Sequence, residues 1–193
     1  MKILVGITGS SSVELGFRLL AVLEKKAEVF CIVSKGAKKS FLAENKHFNA
    51  QDDMLEFCKK HFQIKQMTFL DDEDLSAGAS SGSFGIDKTI IAPCSISTLA
   101  KIHAGFADSL LTRACAVALK ERKTLILGVR EMPFSTISLE HMTKLSTLGV
   151  SIAPPIFASY AQIRSLEDEY NFIVGKWLDL LQIQHNLFEK WNN

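Results

Sequence analysis

Two short stretches place small hydroxyl side chains directly after an apolar run, an arrangement that can bind an anion. One is the stretch 8–12, Thr-Gly-Ser-Ser-Ser, which follows the apolar residues 3–7. The other is the stretch 95–98, Ser-Ile-Ser-Thr, which follows the apolar run 89–92 and Pro93-Cys94. In an α/β protein, a strand end that opens onto a helix N-terminus binds phosphates through backbone amides and hydroxyls. Together the two stretches predict a phosphate-bearing ligand held between two strand ends.

Four basic side chains and one carboxylate are candidates to complete such a site. Arg113 and Lys120 are seven residues apart, which places them on one face of a predicted helix. Arg130 and Glu131 follow the next predicted strand, and Lys176 lies inside the last predicted helix. Converging cations would stabilise a phosphate ester, and an adjacent acid could move a proton on or off a phosphate oxygen. Solvated surface charges and a structural Arg130–Glu131 ion pair are the open alternatives.

The sequence lacks several other kinds of functional motif. No G-x-G-x-x-G and no Gly-Lys-Ser/Thr follows the first strand, so neither a dinucleotide fingerprint nor a P-loop is present. The four cysteines have no zinc-like spacing, so we expect free thiols in a reducing cytoplasm and no metal. The five histidines are scattered and predict no catalytic triad. Cys94 lies within the candidate site, and a ligand contact there stays open.

Length and composition indicate one ordinary globular domain. The chain has 193 residues, of which 47% are hydrophobic and 22% charged, enough for a sizeable core. The formal net charge of +1 gives no reason to expect nucleic acid or a membrane surface as a partner. No apolar run approaches the roughly 18 residues of a membrane span, and the N-terminus lacks a signal-peptide pattern. We therefore expect a cytoplasmic protein with one domain over 1–193.

Alternating strand and helix patterns must position the candidate residues. Apolar runs predict a series of strands, over 2–7, 28–33, 89–92, 124–129 and 150–153. The acidic stretch 68–75 contains at most one more short strand. Helical patterns lie between the strands, so the sequence predicts an α/β fold with a mostly parallel sheet and helices on both faces. The small-residue stretch 76–83 is expected to be mobile or to approach the ligand.

Local signals set the expected ends of these elements. Pro93 cannot donate to a central ladder, so we expect the strand before it to end there. Ser11 or Ser12 is expected to cap the first helix, and Ser138 a later one. Ser165 is expected to cap the last helix, whose first turns are acidic. We expect a glycine at position 16 to let the first helix approach the sheet closely.

Taken in order, these motifs resemble those of the UbiX/Pad-type flavin prenyltransferases, nearly from end to end. The resemblance is carried by Gly6-Ile7-Thr8-Gly9-Ser10-Ser11, Val33-Ser34-Lys35, Ala79-Ser80-Ser81-Gly82-Ser83-Phe84, Pro93-Cys94-Ser95-Ile96-Ser97-Thr98-Leu99, Leu110-Leu111-Thr112-Arg113-Ala114, Val117-Ala118-Leu119-Lys120-Glu121-Arg122, Val129-Arg130-Glu131-Met132-Pro133 and Val174-Gly175-Lys176. Trp191 falls where the family has a C-terminal Arg-Trp. In the first loop, Ser10 and Ser12 replace the family's usual alanine and second glycine. The ordered set is specific to this family, although each piece alone is common.

The resemblance implies a flavodoxin/Rossmann-like three-layer sandwich that binds FMN and requires no metal. Members of the family join a dimethylallyl group, taken from dimethylallyl monophosphate, to N5 and C6 of reduced FMN. UbiD-type decarboxylases then use the prenylated FMN, in ubiquinone biosynthesis or aromatic acid decarboxylation. The family assembles as a homo-dodecamer with its sites at subunit contacts. The resemblance therefore implies a homo-oligomer, a prenyl phosphate as substrate and a UbiD-type decarboxylase as recipient of the product.

By matching position, the resemblance also implies roles for individual residues. FMN would be held by Gly9, Ser10, Ser11, Ser34, Ser95, Ile96, Ser97, Thr98 and Arg130. The prenyl phosphate would be surrounded by Tyr160, Lys176, Arg113, Lys120 and Arg130, and covered by Trp191. Glu131 would protonate the leaving phosphate, and Ser11 could relay a proton. The C-terminal tail, from about 184 to 193, would pack on the site or on a neighbouring subunit.

Two other functions are compatible with this fold. FMN-dependent cysteine decarboxylases of the phosphopantothenoylcysteine or lantibiotic type carry an early active-site histidine and a later Met-Asn motif. This chain has no histidine before His47 and no Met-Asn pair, which argues against them. A non-catalytic flavin carrier would keep the FMN residues but would not need Glu131, Tyr160 or Lys176. The presence of these three residues argues against a non-catalytic flavin carrier.

Overall fold

The computed structural model describes residues 1–46, 53–161 and 163–191. The strands are β1 (Lys2–Ile7), β2 (Glu28–Val33), β3 (Thr68–Leu70), β4 (Lys88–Cys94), β5 (Thr124–Val129) and β6 (Ser151–Ile152). The helices are α1 (Glu14–Leu23), α2 (Lys35–Glu44), α3 (Met54–His61), α4 (Ile96–Ala104), α5 (Leu110–Lys120), α6 (Thr136–Thr147) and α7 (Leu166–Leu180). The strands form one sheet in the order β3-β2-β1-β4-β5-β6, and every pairing between them in the described residues is parallel.

Helices cover both faces of this sheet and enclose two apolar clusters. α1, α2, α3 and α7 pack on one face, around side chains such as Phe17 and Trp177. α4, α5 and α6 pack on the other face, around Leu99 and Leu111. Because both faces are covered, β1 and β4 are apolar along most of their length. The predicted three-layer α/β fold is confirmed; among the described helices, none is long and apolar enough to cross a membrane.

The order of the strands reverses between β1 and β4. The chain builds β2 and β3 on one side of β1, and then returns to place β4 on its other side. In open α/β sheets, ligands bind outside the carboxyl ends of the strands at such a reversal. The predicted close approach at Gly16 lies at the same place: a Cβ there would be 2.5 Å from the Ala92 carbonyl oxygen and 2.8 Å from Ile7 Cδ1. The absence of a side chain therefore allows α1 to lie directly on the strand ends.

Two predicted element ends near the site are wrong. β4 continues through Pro93 to Cys94, and its pairing with β5 shifts register between Ile91 and Cys94. At this irregularity the ladder requires no N–H from residue 93, so the N–H that proline lacks is not missed. The proline carbonyl remains free to accept hydrogen bonds. At the start of α1 the residue before the helix is Val13, and no side chain caps it, so neither Ser11 nor Ser12 has the predicted capping role.

Of the two remaining capping predictions, the one for Ser138 is wrong and the one for Ser165 is confirmed. Ser138 is buried inside α6 and does not cap it; the cap is Ser135, whose Oγ accepts the Ser138 N–H at 3.1 Å. The Ser165 cap of α7 is confirmed, since its Oγ accepts the Asp168 N–H at 3.2 Å. The stretch 76–83 forms two short 3-10 turns, Gly78–Ser80 and Gly82–Phe84, and the first of them packs against α5.

Trp177 anchors α7 to the sheet, and its removal should destabilise the fold. The side chain is buried, its Nε1 donates to the Ala153 carbonyl oxygen at 2.9 Å, and its ring packs over Gly128. We expect Trp177→Ala to lower the free energy of unfolding by about 3–5 kcal/mol in urea titrations. Trp177→Phe keeps most of the apolar volume but leaves the Ala153 carbonyl without this donor, so its loss should be about 1–3 kcal/mol.

The matched control is Leu180→Ala on the same helix, because Leu180 is exposed. Its effect should stay below about 1 kcal/mol. Equal losses for Leu180→Ala and Trp177→Ala would contradict the anchoring role of Trp177.

Candidate functional site

The carboxyl ends of β1, β4 and β5 are joined by hydrogen bonds. The Thr8 hydroxyl donates to the Pro93 carbonyl oxygen at 2.9 Å and accepts the Ser95 N–H at 2.8 Å. The Thr8 N–H also donates to the Pro93 carbonyl, at 3.2 Å. On the other side, the Arg130 N–H donates to the Cys94 carbonyl oxygen at 3.0 Å. The two hydroxyl-rich stretches are therefore in direct contact, and Arg130 begins beside them.

An open pocket of about 550 Å³ lies at this junction. It is lined by Thr8, Gly9, Ser34, Lys35, Gly36, Asp72, Glu73, Ser95, Ser97, Thr98, Lys101, Asp108, Ser109, Leu111 and Thr112. Five residues of the predicted flavin set are among them: Gly9, Ser34, Ser95, Ser97 and Thr98. Ser10, Ser11 and Ile96 adjoin these five in the chain. The structure thus gathers the strand-end residues from β1, β2 and β4 around one space.

Ser34 and Ser95 shape the pocket because they are the N-caps of α2 and α4. The Oγ of each accepts the N–H three residues further on, at 3.2 Å. Ser95 Oγ also donates to Thr98 Oγ1 at 3.0 Å. The amides of Ile96 and Ser97 have no hydrogen-bond partner among the described residues. They are available to an anion at the N-terminus of α4, where the helix dipole favours negative charge.

The N-terminus of α5 faces the same pocket, but two of its amides are already hydrogen-bonded to Asp72. The Leu110 N–H donates to the Asp72 carbonyl oxygen at 2.8 Å, and the Leu111 N–H donates to the Asp72 carboxylate at 2.9 Å. The Asp72 carboxylate would also repel a second anion at this end of the helix. The pocket therefore favours a phosphate at α4 rather than at α5.

Two ion pairs border the pocket. Lys101 pairs with Asp108 at 2.7 Å, and Lys35 pairs with Glu73. The hydrogen bond from Lys101 holds the pKa of Asp108 below its ordinary value. Because all four side chains are largely exposed, neither pair contributes much stability. Either lysine is therefore able to exchange its carboxylate for the anionic group of a ligand at small cost.

The sequence analysis assigned no role to the residues of these ion pairs, although Lys35 belongs to one of the family motifs. Lys35 follows the predicted Ser34 directly, and Asp108 precedes Ser109, which forms a capping box with Thr112 at the start of α5. The position of Lys35 directly after Ser34 and that of Asp108 directly before a capping box could both be read from the sequence. Glu73, by contrast, reaches the pocket because the short strand β3 pairs with β2, a tertiary contact that the acidic stretch did not reveal.

The first loop offers the clearest sign that a ligand belongs in this region. Ser10 Oγ is buried and has no hydrogen-bond partner within the described part of the chain. Leaving such a hydroxyl unsatisfied costs about 1–3 kcal/mol. Next to it, a Cβ on Gly9 would lie 2.6 Å from the carbonyl carbon of Gly36, so the first loop touches the first turn of α2 through backbone alone. The hydroxyl has almost no exposed surface, so a ligand acceptor would reach it after a rotation of the Ser10 side chain.

Two predicted phosphate contacts, Arg113 and Lys120, belong to α5 and lie outside the pocket lining. Arg113 Nε donates to the Ser80 carbonyl oxygen at 3.0 Å, and its terminal N–H groups have no partner in the described ranges. Lys120 lies at the far end of α5, about 16 Å of helix beyond Ser109 at a rise of about 1.5 Å per residue. There it pairs with Glu121. In this chain the structure does not bring Lys120 to the strand-end pocket.

The other predicted substrate residues lie at the surface. Glu131 is exposed, and its carboxylate accepts the Met132 N–H at 3.0 Å. Lys176 is exposed on α7. Tyr160 and Trp191 contact each other, with ring centroids 5.3 Å apart and planes at 87°. The structure therefore brings Tyr160 and Trp191 together, whereas Glu131 and Lys176 lie on separate elements; Asn192 and Asn193, the end of the predicted tail, lie outside the described residues.

Thiol and metal chemistry receive no support from the geometry. Cys94 is buried, and burial raises its pKa well above the ordinary value, so the reactive thiolate is disfavoured. Burial likewise raises the pKa of Cys58 to about 12. Within residues 1–46, 53–161 and 163–191, no group of three His, Cys, Asp or Glu side chains is placed to hold a metal ion.

Comparisons with known proteins agree with this geometry. Residues 1–178 match the family model for flavoproteins. The chain is 64% identical over 193 residues to the flavin prenyltransferase UbiX of Campylobacter jejuni, covering 100% of both proteins. A dodecameric FMN-dependent UbiX-like decarboxylase from Escherichia coli O157:H7 superimposes with a TM-score of 0.88 at 36% identity, covering 100% of both chains.

A second solved structure is that of AnUbiX (PadA1) in complex with FMN and dimethylallyl pyrophosphate. It superimposes with a TM-score of 0.86 at 34% identity, covering 100% of this chain and 97% of that chain. The family indicated by the ordered motifs is thus confirmed by sequence and by structure. The chain belongs to the flavoprotein family and, within it, to the UbiX flavin prenyltransferases.

Proposed function

We propose that the protein transfers a dimethylallyl group from dimethylallyl monophosphate to N5 and C6 of reduced FMN, which gives prenylated FMN and phosphate. The observation that carries the proposal is the pocket between the stretches 8–12 and 95–98, where hydroxyls and unbonded amides converge at the strand reversal. The membership of the chain in the UbiX flavin prenyltransferases supports this reading. So does a relative that was solved with FMN and dimethylallyl pyrophosphate.

FMN fits the residues of this pocket. Its phosphate would be bound by the Ile96 and Ser97 amides at the N-terminus of α4, with help from Ser95, Thr98 and the second cap, Ser34. The buried hydroxyl of Ser10, with its neighbours Gly9 and Ser11, would bind polar atoms of the flavin. Arg130 would reach it from the end of β5, because its amide is bonded to Cys94 beside the Ser95 cap.

The donor half of the site is built from residues outside this pocket. Tyr160, Lys176 and Trp191 would hold and cover the prenyl phosphate, with Arg113 and Arg130 beside it. Lys120 points to a site shared between subunits, because in its own chain it lies at the opposite end of α5. Several large apolar side chains are exposed, among them Met132, Ile137, Ile156 and Phe157, which supports burial against another copy of the chain. A homo-oligomer, of the kind described for the E. coli protein, would complete the site.

Reduced FMN supplies the nucleophilic N5 and C6 atoms in this reaction. The residues of the protein must make a monophosphate leave, which requires positive charge and a proton at the departing oxygens. Arg113, Arg130 and Lys176 would supply the charge. Glu131 would donate the proton as the carbon–oxygen bond of the donor breaks, and Ser11 would relay protons between the pocket and this acid. Trp191 would keep water from the allylic carbon while positive charge develops on it.

The proposal also covers the domain organisation, the location of the protein and the recipient of its product. We take residues 1–193 as a single flavin-binding domain whose tail, from about 184, packs on the site or on a neighbouring subunit. The four buried free thiols favour the reducing cytoplasm. A UbiD-type decarboxylase would receive the prenylated FMN, because the product is a cofactor and not an end product. A cysteine decarboxylase is disfavoured by the absence of an early histidine and of a Met-Asn motif.

The direct test is anaerobic incubation of the protein with reduced FMN and dimethylallyl monophosphate. We expect mass spectrometry to detect a flavin that has gained one dimethylallyl group, and a phosphate assay to detect equimolar phosphate. Dimethylallyl pyrophosphate, supplied in parallel, tests which donor is used. A flavin of unchanged mass, with decarboxylation of a cysteine-terminated peptide, would favour the cysteine decarboxylases instead.

Glu131→Gln should slow transfer while flavin binding is retained. General acids typically contribute factors of 10² to 10⁴, so we expect the rate of prenyl transfer to fall about 100-fold or more. The matched control is Glu140→Gln, because Glu140 is also exposed and follows on α6. Fluorescence titration should give the same FMN affinity for both variants and the wild type. A Glu131→Gln protein with normal turnover would refute the assigned role.

Ser10→Ala provides a second test, since it separates ligand binding from folding. Removal of a buried hydroxyl that has no partner should leave the stability of the flavin-free protein unchanged or slightly higher. The same change should weaken FMN binding by about 5- to 10-fold, because a hydrogen bond of about 1 kcal/mol is lost in the complex. Ser146→Ala, on the exposed part of α6, is the control. Unaltered FMN affinity would exclude Ser10 from the flavin contacts.

A further inference from the structure

The C-terminal segment 184–191 folds back along the face of α7 that carries Lys176. Phe172, Gly175, Lys176 and Asp179 have the spacing i, i+3, i+4 and i+7, which defines one face of a helix. Phe172, Gly175 and Asp179 contact the segment. The segment is therefore anchored beside the residue proposed to bind the prenyl phosphate.

The turn that starts this return path is fixed at the amino edge of the sheet. Lys88, the first residue of β4, donates through Nζ to the Leu181 carbonyl oxygen at 2.7 Å and to Gln182 Oε1 at 2.9 Å. α7 therefore ends near the amino edge, and the segment that follows it runs back towards the carboxyl edge. That edge is where the strand-end pocket lies.

Aromatic packing against a glycine holds the middle of the segment. A Cβ on Gly175 would lie 2.5 Å from Phe188 Cε1 and 2.8 Å from His185 Cε1, so these rings occupy the space that a side chain would need. Phe188 also packs on Phe172, with ring centroids 4.9 Å apart. At the end of the segment, Trp191 contacts Tyr160, which in turn contacts Phe172 at 5.8 Å.

Asp179 is the polar centre of this arrangement. Its Oδ1 accepts Lys190 Nζ at 3.0 Å and lies 3.2 Å from His185 Nε2. His185 Nδ1 accepts the Leu187 N–H at 3.2 Å, which assigns the ring proton to Nε2 and makes His185 a donor to Asp179. The His185 side chain is only 1% exposed and that of Asp179 is 30% exposed, so the bond is shielded from water on the histidine side. One carboxylate thus joins α7 to both ends of the segment.

The charge of Asp179 agrees with its partners. Burial by itself would raise the pKa of Asp179, but the hydrogen bond and positive charge of Lys190, together with His185, outweigh it and lower the pKa. The carboxylate is therefore ionised and able to accept both hydrogen bonds across the neutral pH range.

We propose that Asp179 is a positioning residue for the prenyl donor: through His185 and Lys190 it holds the C-terminal segment so that Trp191 and Tyr160 stay beside the Lys176 face of α7. The proposal rests on the proposed function, because the donor is what those three residues would bind. It assigns no chemical step to Asp179. It implies that losing the carboxylate weakens donor binding while leaving flavin binding and the chemical step largely intact.

The test compares Asp179→Asn, Asp179→Glu and Glu189→Gln with the wild type. Asp179→Asn keeps the size of the side chain but removes its charge, and Glu189→Gln changes an exposed residue of the same segment. With excess reduced FMN, we expect Asp179→Asn to raise the KM for dimethylallyl monophosphate about tenfold, as loss of charge-assisted hydrogen bonds implies. The kcat and the Kd for FMN should change by less than about twofold, Asp179→Glu should recover part of the loss, and Glu189→Gln should match the wild type.

Hydrogen exchange provides a readout that does not depend on activity. In Asp179→Asn, amides of the segment 184–191, such as the N–H of Leu187, should exchange faster, while those of β1 and β4 keep their protection. Unchanged exchange and KM in this variant would overturn the proposal, as would a loss of FMN affinity as large as the loss of donor affinity. If the wild type transfers no prenyl group, the donor role falls with the proposed function, and the exchange data then decide only whether Asp179 holds the segment.

Discussion

The hydroxyl of Thr8 is the contact on which the site depends. It donates to the Pro93 carbonyl and accepts the Ser95 amide, so it connects the ends of β1 and β4 where the strand order reverses. The Thr8 N–H adds a second bond to the Pro93 carbonyl, so side chain and backbone together join the two strand ends. With this link, Ser95 is fixed as the cap of α4, and the unbonded amides of that helix face the same space as the first loop. The side chain of Thr8 thus helps to hold two walls of the pocket together.

The place where an anion can bind in the pocket depends on which backbone amides are already hydrogen-bonded. Three helices begin at the pocket, but the N-terminus of α5 is closed by Asp72, whereas Ile96 and Ser97 at the start of α4 keep their amides available. The same principle makes Ser10 informative, because its buried hydroxyl lacks a partner. Unsatisfied donors mark where a ligand belongs better than the number of hydroxyls does, since several of the hydroxyls here, such as those of Ser34, Ser95 and Ser109, are used within the protein as helix caps.

The sequence predicted the fold and the meeting of two hydroxyl-rich strand ends, because both depend on local patterns. Apolar runs and alternating helices predict the sheet, and hydroxyls that follow a strand predict the stretches 8–12 and 95–98, whereas the capping roles of Ser34 and Ser95 were not predicted. The errors arose where tertiary contacts override local rules. Pro93 stays within β4 because a register shift removes the need for its N–H, and Ser135 takes the capping position that local spacing gave to Ser138. Helical spacing also could not indicate that Arg113 follows Thr112 of the pocket lining while Lys120 lies at the other end of α5, since spacing defines a face and not a position along the axis.

The flavin half and the donor half of the proposed site are stabilised by different means. The flavin half lies at the ends of strands whose side chains are buried in the core, so the sheet fixes its geometry. The donor half lies on α7, on the 159–161 turn and on a segment held by one carboxylate and a few aromatic contacts. Contacts of this kind open at a lower free energy than a sheet does. A bound cofactor-sized substrate would therefore meet a preformed pocket, whereas the small donor would enter a part of the molecule that can open and close without disturbing the sheet.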